Sequence, residues 1–150
     1  MSKSLSDTAT FDFESLKYEN FNFGRYLRTV RQAKGISIRH LAKEVNKTPT
    51  YLSDIENGHN KPPEKELLEI IIQKLNLNDF PNVKTTLFDL AAKDRNDIPA
   101  DIKEHMLNNK LLFELIRKMK ACSNEDTVIV RIQNLLNEQE DTQWKILILP

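Results

Sequence analysis

The sequence has one cysteine, three glycines and one tryptophan among 150 residues, and its formal charges cancel to +0. A single thiol, Cys122, cannot close an internal disulfide and has no Cys or His at metal-ligand spacing, so we expect a small buried residue there. Three glycines leave no room for a Gly-rich phosphate loop. No apolar run approaches the ~20 residues of a membrane-spanning helix, and the N-terminus lacks the apolar core of a signal peptide, which leads us to expect a cytoplasmic protein. His40, His59 and His105 lie on different segments without ligand-type partners, and Asp94 and Asp97 flank Arg95 in what reads as a solvated turn. The chain is therefore not expected to be an enzyme, and no cofactor or metal site is expected.

What is present is an uneven distribution of charge. Between Asn22 and Pro62 stand Arg25, Arg28, Arg31, Lys34, Arg39, Lys43, Lys47 and Lys61 against Glu44, Asp54 and Glu56, a net +5. The segments on either side must carry the compensating negative charge. Such asymmetry suits a nucleic-acid-reading module attached to a more acidic partner domain.

Within the basic segment, Ser37 to Gly58 reads as two short helices joined by a tight turn. Ser37 can cap the first, where Ile38, Leu41, Ala42 and Val45 recur at helical spacing on one face. Asn46 stands where the reversal needs a left-handed backbone, which Asn tolerates. Thr48 can cap the second helix with Pro49 at its first position, and Asn57-Gly58 ends it. Only Leu52 and Ile55 form a clear inward pair there, while Pro49, Thr50, Ser53 and Asp54 look outward. A helix that buries so little and displays small polar groups suits a DNA major groove.

Leu27 and Arg31 before Lys34-Gly35, then Leu41-Ala42, Ser53-x-Ile55-Glu56-x-Gly58 and Pro62, resemble together the Cro/cI-type (XRE-type) helix-turn-helix domain of phage repressors. The resemblance covers roughly Phe23 to Leu77. It implies an all-α, lambda-repressor-like domain of about five helices, a recognition helix over Thr48 to Asn57, and a pair between Arg31 and Glu56 that locks the first helix to it. Ile38 stands where the family usually has a phosphate-contacting glutamine, and Asn46 replaces the usual turn glycine. The expected DNA-binding residues are Arg39, Thr48, Pro49, Thr50, Tyr51, Ser53, Asp54, Asn57 and Lys61. Of these, Pro49, Thr50 and Asp54 would read bases, and Thr48, Ser53, Asn57 and Lys61 would hold phosphate. Asp54 also repels phosphate, so it is either a specificity residue or a bystander.

Elsewhere, residues 1–21 read as a flexible arm with a candidate helical turn at Phe13 to Tyr18, and 22–78 as the DNA-binding domain. Glu64 to Leu75 gives an amphipathic helix that closes the domain's core. Leu77 to Pro81 reads as a linker. Residues 82–150 then read as a small all-helical unit for dimerisation or regulation. It has one helix to Ala92, a loop at Lys93 to Asp97, two helices around Ile102 to Met119, and a last one capped near Ser123. Trp144, Ile146, Leu147, Ile148 and Leu149 make a tail apolar on every face, which either packs into its own unit or forms a dimer interface. Its period does not decide between helix and strand.

Two functions fit. One is a homodimeric repressor that occupies a palindromic operator in double-stranded DNA. The other is an antitoxin-like protein whose C-terminal unit binds a regulatory protein partner while the DNA module autoregulates.

Overall fold

The computed structural model describes residues 21–148, with side chains through Gln139. Among the described residues run eight helices and no strand: α1 Phe23–Ala33, α2 Ile38–Glu44, α3 Pro49–Glu56, α4 Lys65–Lys74, α5 Pro81–Arg95, α6 Ala100–Leu107, α7 Lys110–Lys120 and α8 Glu125–Ile148. The candidate turn at Phe13 to Tyr18, and most of the expected arm, lie outside the described residues. The chain divides into two compact units, one through Glu104 and one from His105.

Short side chains set the helix starts in the first unit. Asn22 Oδ1 accepts from Arg25 N at 2.9 Å, Ser37 Oγ from His40 N at 3.1 Å, and Thr48 Oγ1 from Tyr51 N at 3.1 Å. Each satisfies one amide that the helix itself leaves without a partner. Left-handed residues set the ends: Gly35 follows α1 at φ +67, Asn46 follows α2 at φ 53, and Gly58 follows α3 at φ +76. Asn76 and Asn96 do the same after α4 and α5.

The core is one cluster to which every helix from α1 to α5 contributes, with Phe23, Tyr26, Leu27, Val30, Leu41, Leu52, Ile55, Leu68 and Ile71 at its centre. Burial pushes the Tyr26 phenol above its ordinary pKa, and a hydrogen bond with Thr86 of α5 acts in the opposite direction.

Two expectations about the boundary are corrected here. The first domain does not end at 78, because Val83, Leu87, Phe88, Leu90 and Ala91 of α5 enter the same core. The stretch from Leu77 to Pro81 is a tight corner and not a linker: Leu77 is 0% exposed, and Phe80 N donates to Leu77 O at 3.0 Å. The helix count of five is reached only by including α5. Lys93 to Arg95 are the last residues of α5 and not a loop. Asp94, expected in a solvated turn, accepts from the backbone N–H of Phe23 at 3.0 Å, so a carboxylate sits at the positive end of α1. Arg95 Nη1 donates to Pro62 O at 2.8 Å and a second guanidinium nitrogen meets Glu64, which ties α5 to the segment leaving α3.

The second unit is built differently. No side chain between His105 and Gln139 is fully buried. Leu111 of α7 and Leu135 of α8 are 73% and 61% exposed, and Leu115, Ile116, Val130 and Leu136 are exposed as well. Cys122, expected to be buried, is exposed: it lies in the turn between α7 and α8, whose side chains through Gln139 are none of them fully buried. The backbone of α8 continues to Ile148, so the tail is helical to that residue, while its side chains and Leu149 lie outside the description.

Two contacts fix α1 against α3. Arg31 Nε donates to Glu56 Oε1 at 2.6 Å and Nη2 to Oε2 at 2.8 Å, while Nη1 reaches Ile36 O at 2.8 Å. The Glu56 side chain is 1% exposed and that of Arg31 9%. Parallel bonds of this kind define an orientation as well as a distance. Close by, Gly24 touches the end of α3 so tightly that a Cβ there would meet the carbonyl oxygen of Ile55, and that of Glu56 at 2.8 Å.

Removing either Arg31 or Glu56 strands a buried charge and should cost ~3–5 kcal/mol. A double-mutant cycle read by urea denaturation should show strong coupling; coupling near zero would mean two independent charges. Gly24→Ala tests the second contact, since alanine in an unobstructed helix gains about 1 kcal/mol over glycine whereas overpacking costs about 1–3 kcal/mol or more. The clash should win, so the variant should lose stability. A gain would show that α1 and α3 can separate without cost.

Candidate nucleic-acid interface

The inward side of α3 is set by Leu52 and Ile55, 0% and 1% exposed, and by Glu56. At 3.6 residues per turn this places Thr50, Ser53, Asp54 and Asn57 on the opposite side. Thr50 and Asn57 are exposed, and Ser53 and Asp54 are half-buried. Pro49 and Thr48 are exposed at the helix start, so the first turn of α3 is open to solvent. Tyr51 is half-buried at the edge, with Lys47 Nζ 5.6 Å from its ring centroid.

Basic groups flank this surface. Arg39 and Lys43 are exposed and four residues apart, so they share one side of α2, and Lys47 is exposed in the turn after it. Lys61 is exposed in the segment leaving α3. Neither Arg39 nor Lys61 has an acidic partner among the described residues. Glu44 of α2 is bridged by Lys74 of α4 at 3.1 Å, and that hydrogen bond holds its carboxyl below the ordinary carboxylate range. The one acid on the outward side of α3, Asp54, has His59 Nδ1 3.6 Å from its Oδ1. The geometry offers an anion three amines and one guanidinium near a helix bearing hydroxyl and amide groups.

All nine expected contact residues therefore lie between the start of α2 and the segment after α3, and the pair Arg31 with Glu56 lies behind them. Sequence reasoning missed two residues that hold this surface in place, Arg28 and Gly24, and one exposed base beside it, Lys43. Arg28 stands one helical turn before Arg31; its Nε donates to Glu56 Oε2 at 3.3 Å and its Nη2 meets Asn57 Oδ1. Its i, i+3 spacing from Arg31 was a readable signal, since it puts both guanidinia on one side of α1. Lys43 was readable in the same way, four residues after Arg39 on α2. Gly24 gave a weaker signal, a lone glycine within a helical pattern. Among the described residues no group of three or more His, Cys, Asp or Glu could hold a metal ion, and no helix is long and apolar enough to cross a membrane.

The helix-turn-helix family profile matches residues 27–78, from α1 to the end of the α4 corner. Two solved structures of the clp gene regulator ClgR from Corynebacterium glutamicum are similar. One is 30% identical over 48% of this chain and 85% of that chain, with a TM-score of 0.38. The other is 27% identical over 57% of this chain and 83% of that chain, with a TM-score of 0.39. No curated protein matches. With the family profile lying on α1 to α4, and α2 and α3 forming its two-helix motif, this chain belongs to the XRE-type helix-turn-helix family of DNA-binding transcriptional regulators.

Proposed function

We propose that the chain is a dimeric repressor: two copies joined through the second unit place two α3 helices in successive major grooves of a near-palindromic operator and exclude polymerase by occupancy. The observation that carries this reading is the outward side of α3, small polar groups at an open helix start between exposed basic residues, while the inward side is locked by a buried ion pair. In this reading Pro49, Thr50 and Asp54 face base edges. A threonine methyl suits the thymine methyl, and a carboxylate can accept from cytosine N4. Thr48, Ser53, Asn57, Lys61 and Arg39 hold phosphate, with Tyr51 at the edge; Lys43 and Lys47 join them on charge and exposure.

The need for two copies follows from magnitude. One recognition helix spans only a few base pairs, and a single module with net +5 between Asn22 and Pro62 gains too little to find one site among a genome of competitors. Joining two modules makes the second contact intramolecular. The exposed apolar side chains of α7 and α8 supply a surface for that joining, to which we add the tail residues Trp144, Ile146, Leu147, Ile148 and Leu149. The same exposed side chains equally suit a protein partner, as in an antitoxin. A stoichiometric companion in a native pulldown of the full chain would favour that second reading.

Thr50→Ala should weaken binding to the cognate site by roughly 1–3 kcal/mol and change binding to random DNA little. Equal losses on both would remove Thr50 from the base-reading set. Lys61→Ala should weaken all sequences alike and reduce the slope of log K against log salt by about 1; an unchanged slope would place Lys61 away from phosphate. The assembly is tested by sedimentation at micromolar concentration. The full chain should run as a dimer, and Leu111→Glu combined with Leu115→Glu should run as a monomer with weakened operator binding. A wild-type monomer that binds one operator tightly would contradict the dimer.

A further inference from the structure

Arg28 takes no part in the core and carries a side chain 40% exposed, yet two of its donors are engaged at the C-terminal end of α3. Its Nε donates to Glu56 Oε2 at 3.3 Å, the carboxylate already held by Arg31. Its Nη2 meets Asn57 Oδ1. An arginine has donors only, so the atom that Asn57 turns toward it must be the carbonyl oxygen. This settles which way the amide faces. Asn57 Nδ2 then points along the helix and donates to Ser53 Oγ at 3.2 Å.

The consequence falls on Ser53. A serine hydroxyl has one proton and two lone pairs. With a lone pair taken by Asn57, its proton has no acceptor among the described residues. Two other helical hydroxyls give their protons to a carbonyl one turn back: Thr29 Oγ1 donates to Arg25 O at 2.9 Å and Thr86 Oγ1 to Asn82 O at 2.8 Å. If the Asn57 amide were reversed, its oxygen would face Ser53 and take the hydroxyl proton internally. Arg28 opposes that reversal.

We propose that Arg28 is a positioning residue for DNA binding, acting through Asn57 to keep the Ser53 hydroxyl proton free for a phosphate oxygen. The proposal rests on the DNA-binding reading above and adds to it the state in which Ser53 meets the backbone. It also gives the two arginines of α1 separate tasks. Arg31 holds the helix, whereas Arg28 sets a polar group on its outward side.

The test compares the full-length wild type with Arg28→Lys, Ser53→Ala and the double variant, each titrated with an operator selected by the wild type across a range of salt. Lysine keeps the charge beside Glu56, and Arg31 keeps its paired bonds, but one ammonium cannot span Glu56 and Asn57 as a planar fork does. Ser53→Ala should weaken operator binding by about tenfold or more, the loss of a hydrogen bond to a charged acceptor. Arg28→Lys should weaken it by about threefold or more, and in the Ser53→Ala background the same change should cost less than about twofold. The salt slope should stay that of the wild type, because no phosphate-bound charge is removed. Three results would overturn the proposal: Arg28→Lys binding like wild type, losses that simply add, or a slope lowered by about 1, which would put Arg28 itself on phosphate. A general loss of stability in Arg28→Lys would persist in the Ser53→Ala background and so count among the additive results. A wild type that binds no DNA would overturn both this proposal and the reading beneath it.

Discussion

Glu56 is the point on which the arrangement of the first unit turns. A carboxylate with 1% of its side chain exposed cannot remain charged there unless cations accompany it, and α1 brings two. The bidentate geometry of Arg31 fixes the angle between α1 and α3, and the missing side chain at Gly24 lets the helices come close enough for those bonds to form. A helix with only two buried apolar side chains, Leu52 and Ile55, is held by that pair as much as by its hydrophobic contacts. The outward side is left to small polar groups, with Thr50 and Asn57 exposed and Ser53 and Asp54 half-buried.

A second constraint acts from the far end of the unit. Helix α5 closes the core with Leu87 and Phe88 and also caps α1 through Asp94, so the segment just before the two-helix motif is tied to a residue 71 positions later. Arg95 reaches the carbonyl of Pro62 in the segment leaving α3. The entry and the exit of the motif are thus both anchored to the same helix.

The two-helix motif was legible because its signals are local. Ser37, Thr48 and Pro49 act within one turn of themselves, and Asn46 and Gly58 are read from backbone sterics alone. The apolar period of α5 was legible too, in Val83, Leu87, Leu90 and Ala91, but period says that a side is buried and not which core buries it. That is why α5 was assigned to the wrong unit. Asp94 and Arg28 were missed for a related reason: their partners, Phe23 N and Asn57, are distant in sequence, and a surface charge carries no local mark of its partner. In the second unit the amphipathic pattern of α7 is equally clear, yet Leu111 and Leu115 remain exposed. A pattern that predicts burial, met by no burial within the described chain, is the reason for assigning that unit to assembly.

A locked α3, a polar outward side and the proposed pairing of two copies bear together on DNA recognition. The most direct measurement is selection of bound sequences from random DNA by the full-length chain. The account predicts enrichment of a two-fold-symmetric site whose half-sites are centred about one helical turn, ~34 Å, apart. Enrichment of a single asymmetric half-site, or no enrichment over random sequence, would contradict it.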